Sequence, residues 1–158
     1  MESTTGTTSI ENTGQADAGT EFHPSIVALV CNWCTYTAAD LAGVTRLKYP
    51  SEVRMIRLMC TGMIDTRYII ESFLKGADGV FIGGCHPGDC HYINGNLKAR
   101  LRIDGLKTLL QGMGLETDRL VLHWIGASEG AEFQKRITEF VDGIKKLGPA
   151  TFGAYDSI

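Results

Sequence analysis

From Ile26 onward the chain alternates short, nearly continuous apolar runs with longer stretches in which apolar residues recur every three or four positions. The runs are Ile26 to Val30, Val53 to Met59, Gly79 to Gly83 and Leu120 to Ile125, each of the length and composition of a buried strand. Arg54 and Arg57 interrupt the second run, which places it at a sheet edge. The stretches between predict helices over about Thr37 to Leu47, Asp65 to Lys75, Asn94 to Gln111 and Glu129 to Leu147. In the first helix Ala38, Leu41, Ala42 and Thr45 share a face, Arg46 and Lys48 lie where cations complement the helix dipole, and Tyr49-Pro50 stops it. The second opens on Asp65 and closes at Gly76; the third takes Asn94 as N-cap and stops at Gly112-Met113-Gly114. Lys98, Arg100, Arg102 and Lys107 give the third helix a mostly solvated face. Ser128 caps the fourth, whose Phe133, Ile137, Phe140, Val141 and Ile144 form one apolar stripe before Gly148-Pro149 ends the domain.

Four strands alternating with four helices are the pattern of βαβ units around a parallel sheet, and right-handed crossovers leave few arrangements. The expected fold is α/β: a single small flavodoxin-like domain with a four-stranded parallel sheet, order 2-1-3-4 by analogy, flanked by helices. Residues 1–22 carry Met1 and Ile10 as their only large apolar side chains before Phe22, too few to offset the entropy of ordering, and predict a disordered acidic tail. The α/β domain is expected over 23–149, with a C-terminal tail over 150–158.

Composition narrows the function. At 158 residues and 44% hydrophobic, the chain can bury a self-supporting core without staples. The net charge of −3 comes from the first 21 residues, which hold Glu2, Glu11, Asp17 and Glu21 and no base. No dense basic patch and no interleaving of aromatic and basic residues appears, so nucleic acid is not an expected partner. No apolar run approaches the ~20 residues of a membrane span, and no signal peptide is visible, so a cytoplasmic protein is expected.

The five cysteines change the picture most. Cys31 and Cys34 follow the first strand, Cys60 ends the second, and Cys85 and Cys90 follow the third in the loop Gly83-Gly84-Cys85-His86-Pro87-Gly88-Asp89-Cys90-His91-Tyr92. Every thiol therefore lies at or just beyond the C-terminal end of a strand, the edge where open parallel sheets place their ligands. An odd count in a chain large enough to fold unaided favours reduced thiols serving a metal or redox centre over disulfides. Cys31-Asn32-Trp33-Cys34 alone fits zinc, iron–sulfur ligation or a dithiol pair. With Cys85 and Cys90 in a CxxxxC spacing, unlike the short second pair of a zinc knuckle, iron–sulfur leads zinc.

Other residues read more plainly. Cys60 is either a further ligand or a small buried thiol. His86 and His91 suit supporting or surface roles beside the cysteines, and His123 a hydrogen-bonded position in the core. Asp40 and Asp89 lack a paired carboxylate, so acid–base catalysis is not supported. Met55, Met59 and Met63 read as core gap-fillers. The Gly83 to Gly88 stretch has neither GxGxxG spacing nor a P-loop lysine, so no nucleotide or flavin site is expected.

Cys31-Asn32-Trp33-Cys34, Ala42-Gly43-Val44-Thr45-Arg46 with Tyr49-Pro50, Met59-Cys60-Thr61-Gly62, Gly76-Ala77-Asp78-Gly79 leading to the Gly84 to Tyr92 loop, and Ala127-Ser128-Glu129-Gly130 occur in this order. In these motifs the chain, from about Ile26 to Phe140, resembles the delta (iron–sulfur) subunit of methyl-viologen-reducing hydrogenase, the MvhD family. The resemblance implies a non-catalytic electron-transfer subunit of an oxidoreductase complex. In such complexes a [2Fe–2S] cluster relays electrons from a hydrogenase or formate dehydrogenase module to the HdrA flavoprotein of heterodisulfide reductase, whose flavin bifurcates them. Carried over by position, the cluster ligands are four of Cys31, Cys34, Cys60, Cys85 and Cys90. The alternatives are a dithiol–disulfide oxidoreductase using Cys31 and Cys34, and a zinc-stapled structural adaptor. In a relay, Trp33, Tyr36, His86, Pro87, His91 and Tyr92 would lie against a partner.

Overall fold

The computed structural model describes residues 22–151. All but the last residue of the acidic tail expected over 1–22, and most of the C-terminal tail, lie outside the described residues.

Four parallel strands form one sheet: β1 (Ile26–Cys31), β2 (Val53–Leu58), β3 (Gly79–Gly84) and β4 (Leu120–Trp124), in the order β2-β1-β3-β4. Helices α1 (Thr35–Val44), α2 (Thr66–Leu74) and α3 (Gly95–Gly112) make the crossovers, and together with α4 (Gly130–Leu147), which follows the last strand, they cover both faces. The expected architecture and strand order are those observed. Because side chains alternate across a strand, Ile26, Ala28 and Val30 of β1 and Phe81 of β3 pack with Ala38, Phe133, Ile137, Phe140 and Ile144 of α1 and α4. On the other face Leu29, Val80 and Ile82 pack with Ile69, Phe73, Ile103, Leu106 and Leu110 of α2 and α3. β3, paired on both sides, is buried throughout, whereas β2 and β4 are edge strands with half-buried positions.

Helix ends account for the boundary differences. α1 starts two residues earlier than its apolar period indicates, because the Ala38 N–H donates to the Cys34 carbonyl and the CxxC turn winds directly into the helix. It also stops earlier, since Arg46 takes a left-handed conformation (φ 60°) while Leu47 N–H bonds Ala42 O and Arg46 N–H bonds Gly43 O, a Schellman closure without glycine. Gly76 and Gly114, at φ 88° and 91°, end α2 and α3 in the usual glycine form of the same motif. Asp65 caps α2 by accepting from Arg67 N–H at 2.9 Å. Asn94 occupies the N-cap position of α3 without a side-chain cap bond, and at α4 that position belongs to Glu129, not Ser128, again without one.

Arg119, just before β4, is 1% exposed. Its guanidinium donates to the carbonyls of Asp78 (3.1 Å), Gly148 (2.9 Å) and Pro149 (3.3 Å) and to Glu116 (2.7 Å). Asp78 in turn accepts from Ser25 N–H and Ala150 N–H, so the chain around residue 150 is fastened to the base of the sheet.

Candidate metal centre

The three loops at the C-terminal ends of β1, β2 and β3 bring all five cysteines to one edge of the sheet, and all five are buried. Cys31, the last residue of β1, and Cys85, just past β3, lie on paired strands with their Sγ atoms 3.7 Å apart. Cys34, at the start of α1, completes a triad whose sulfurs all fall within 4.8 Å of one another. Beside it Cys60 Sγ lies 3.9 Å from Cys90 Sγ. Metal–thiolate bonds of ~2.3 Å in a tetrahedron separate two thiolates on one metal by about 3.8 Å, so both close pairs already have that spacing.

Glycines permit this approach. A Cβ at Gly95, the first residue of α3, would overlap Cys60 Sγ and lie 3.4 Å from Cys90 Sγ. A Cβ at Gly83 would collide with Thr35, and one at Gly84 would lie 3.2 Å from the hydroxyl of Thr61. The end of β3 must therefore be Gly-Gly for the loops from both sheet faces to close over it.

The backbone of the third loop is held from α3. Buried Asn96 donates from its amide to the carbonyls of Cys85 and His86, both at 2.9 Å. Arg102 of α3 donates to Gly62 O (2.7 Å) and Ile64 O (3.1 Å), fixing the segment after Cys60. Its guanidinium is thus committed to a loop and not simply solvated. Glu129 accepts from Gly126 N–H and meets His86 Nε2 at 2.8 Å. Those two bonds hold the Glu129 carboxyl below the usual carboxylate range.

Two of the five thiols, Cys31 and Cys90, are shifted toward the thiolate, and the other three toward the thiol. A hydrogen bond from the Cys34 thiol, outweighing burial and helped by the N–H groups of Trp33 and Cys34 and by Cys85, lowers Cys31 to about 5. The same bond, with burial, pushes Cys34 up. Burial raises Cys85 to about 11 and also raises Cys60. At Cys90 burial acts upward, but bonds from the backbone of Asn96, Tyr92 and Gly95 and from the Cys60 thiol outweigh it and lower the group. A soft metal centre that takes thiolates would release the remaining protons as it bound. The donor set suits such a centre: sulfur only from the cysteines, N–H groups aimed at it, and one buried hydroxyl, Thr61 Oγ1, with no hydrogen-bond partner among the described residues.

Around the thiols, Trp33 stacks on His91 (4.0 Å between centroids, 17° between planes) and His91 meets Tyr92 edge-on at 5.1 Å. Trp33, Tyr92, Met59, Met63 and Ile93 are nonetheless exposed, Ile93 to 85%. Met59 and Met63 are therefore surface residues beside Cys60 and not core gap-fillers; only Met55 is half-buried against the core. His123 also differs from expectation. β4 is an edge strand, so the ring is half-buried and stacks on Phe81 at 5.4 Å, without a hydrogen bond among the described residues. Asp40 is exposed on α1, and Asp89 is exposed on the cysteine loop.

Asn96, Thr61, Glu129 and Gly95 support the site and are not marked by spacing. The nearest signal is a repeated Cys-Thr dipeptide, Cys34-Thr35 and Cys60-Thr61, whose threonines pack over Gly83 and Gly84.

Fold and thiols together define an α/β protein with a buried cluster of thiols, suited to a soft metal, on the carboxyl edge of its sheet. The chain belongs to the family of the methyl-viologen-reducing hydrogenase delta subunit, whose model matches residues 26–148. It is 51% identical over 130 residues to the iron-sulfur subunit of the vhc F420-non-reducing hydrogenase of Methanococcus voltae, covering 82% of this chain and 90% of that protein. Identity to the iron-sulfur subunit of the F420-non-reducing hydrogenase of Archaeoglobus profundus is 49% over 132 residues, covering 84% of this chain and 96% of that one. A third similarity, 45% over 126 residues, is to the A-subunit of the ferredoxin:CoB-CoM heterodisulfide reductase of Methanosarcina mazei, where the match takes up 80% of this chain but only 16% of the larger protein.

Proposed function

We propose that this chain is an electron-transfer subunit that holds one [2Fe–2S] cluster. It would relay electrons from a hydrogenase or formate dehydrogenase module to the HdrA-type flavoprotein of a heterodisulfide reductase complex in the cytoplasm, where bifurcation takes place at the partner's flavin. The observation that carries the reading is the convergence of five buried thiols on one sheet edge, four of them in two pairs with sulfurs 3.7 and 3.9 Å apart. Four of Cys31, Cys34, Cys60, Cys85 and Cys90 would bind the irons, and the group would supply a one-electron carrier. The chain's own residues exclude water from the thiols, fix the Cys85 loop through Asn96 and direct backbone N–H groups at sulfur.

The hydrogenase side of the relay is supported by the names of the hydrogenase iron-sulfur relatives. The flavoprotein side is supported by the Methanosarcina protein, in which a segment like this chain is part of a heterodisulfide reductase polypeptide. The exposed Trp33, Met59, Met63, Tyr92 and Ile93 offer an apolar contact face beside the thiols. Dithiol exchange by Cys31 and Cys34 is disfavoured because that chemistry needs an accessible sulfur and these residues are 1% and 5% exposed.

Anaerobically purified protein should contain about two irons and two sulfides per chain and give a paramagnetic signal on reduction. Cys85→Ser should lose both. Zinc without iron in the wild-type protein would overturn the reading.

A further inference from the structure

We infer that Thr61 is a positioning residue for the cluster, its hydroxyl donating a hydrogen bond to sulfur of the bound group and so setting its reduction potential. The inference rests on the electron-transfer reading above and adds a residue to it. Thr61 follows Cys60 and is 1% exposed, yet its Oγ1 has no hydrogen-bond partner among the described residues. Its position is fixed by packing: Oγ1 and Cγ2 both lie 3.2 Å from where a Cβ of Gly84 would stand, between Cys60 and the residue preceding Cys85. A buried hydroxyl without a partner is costly and rare in native proteins, and its persistence at such a place calls for an acceptor that arrives with a ligand.

Thr35 provides an internal contrast. It too follows a cysteine, and it packs over Gly83 as Thr61 packs over Gly84, but Thr35 Oγ1 lies 3.7 Å from Cys34 Sγ and so has a sulfur partner already. Cys60 Sγ is engaged elsewhere, by Gly62 N–H at 3.3 Å and by Cys90 Sγ at 3.9 Å. Thr61 is thus the donor left over at the thiol cluster. A one-electron reduction adds one negative charge to the centre, spread largely over its sulfurs. An O–H donor strengthens its bond as that charge grows, so it favours the reduced form. The hydroxyl keeps its proton throughout.

The test is an equilibrium redox titration of the full chain with its cluster, reduced by dithionite through mediators and followed by the paramagnetic signal. Thr61→Val keeps the shape and removes the donor, while Thr61→Ser keeps the donor. The Val variant should retain two irons and have its reduction equilibrium weakened about tenfold, a midpoint lower by about 59 mV for one electron. The Ser variant should stay near wild type. Pulsed paramagnetic spectra of wild type should show an exchangeable proton near the cluster that is missing from the Val variant. Where Val does not retain iron, Thr61→Ala takes its place. Loss of iron in Val and Ala with retention in Ser also supports the hydroxyl role. An unchanged midpoint in Val or Ala, or equal loss of iron in Val, Ala and Ser, overturns it. A wild-type protein without iron and sulfide would instead overturn the electron-transfer reading itself.

Discussion

Gly95 and Cys60 are in such close contact that the first residue of α3 cannot carry a side chain: a Cβ there would overlap Cys60 Sγ, and the Gly95 Cα lies 2.8 Å from the Cβ position of Gly62. The helix that anchors the third cysteine loop therefore rests directly on the second.

Gly95→Ala should displace Cys60 or lift the start of α3, an overpacking that typically costs about 1–3 kcal/mol, and should lower iron retention together with thermal stability. Gly105→Ala is the internal comparison. It is exposed in the same helix with nothing within 4 Å of its Cβ position, so it should raise stability by about 0.5–1 kcal/mol and leave iron unchanged. Thermal denaturation and iron analysis of the two variants check both outcomes; equal behaviour would mean the contact at Cys60 is unimportant.

The strands, the helices between them and the edge that gathers the cysteines were legible because each is written in local sequence: apolar runs, helical periods, and thiols at the run ends; the strand order rested on analogy alone. What escaped was set by contacts between distant segments. Met59 and Met63 look like core residues in composition, but the loop after β2 turns them outward over Cys60. Nothing in the local sequence marks Arg119 for burial, yet three carbonyls from the start of β3 and the end of α4 draw it inside. Glu129 meets His86 across 43 residues, a pairing no spacing rule contains. At α1 the period placed the helix start correctly to within two residues, and the error came from the CxxC turn serving as its first turn.

Arg119→Ala should be among the most destabilising single substitutions outside the cysteines. It strips hydrogen-bond donors from the carbonyls of Asp78, Gly148 and Pro149, so the loss should reach about 3–5 kcal/mol, as when one partner of a buried charged network is removed. Glu116→Gln should cost no more than about 1 kcal/mol, because that carboxylate is half exposed. Urea denaturation of the two variants separates the buried network from the ion pair at its rim.

His123 gives the fold an acid-side sensitivity. Burial, followed by the nearby Arg136, lowers its pKa in the folded state from the ordinary value of 6.5, so between that value and the lowered one the unfolded chain binds more protons. Glu132 and Glu139 oppose the shift and Lys107 adds to it. The stability linked to this ring is therefore complete above pH 6.5 and falls as the pH drops through the folded value. His123→Phe should remove that part of the slope and leave the difference between the two proteins flat on the alkaline side. Denaturation midpoints of wild type and variant from about pH 5 to 8 test it, and parallel curves would show that His123 does not contribute.

The exposed apolar residues beside the thiols should matter to assembly more than to the domain itself. Trp33, 41% exposed, stacks on His91 at the rim of the cysteine site, and Ile93 holds a left-handed backbone (φ 72°) with its side chain almost wholly in solvent. A branched residue in that conformation and exposure gains nothing for the isolated fold. Ile93→Gly should therefore stabilise the free chain slightly or leave it unchanged, since glycine relieves the backbone. If this face docks the partner modules, the same substitution, and Trp33→Ala with it, should weaken association with a hydrogenase module or an HdrA-type flavoprotein by about tenfold or more, the loss typical of a buried aromatic or aliphatic anchor. Iron content and the reduced-state signal should be preserved in both. Co-purification of tagged variants with native partner subunits, followed by single-turnover reduction of the partner flavin, measures the effect. Unimpaired association and transfer in both variants would place the docking face elsewhere on the domain.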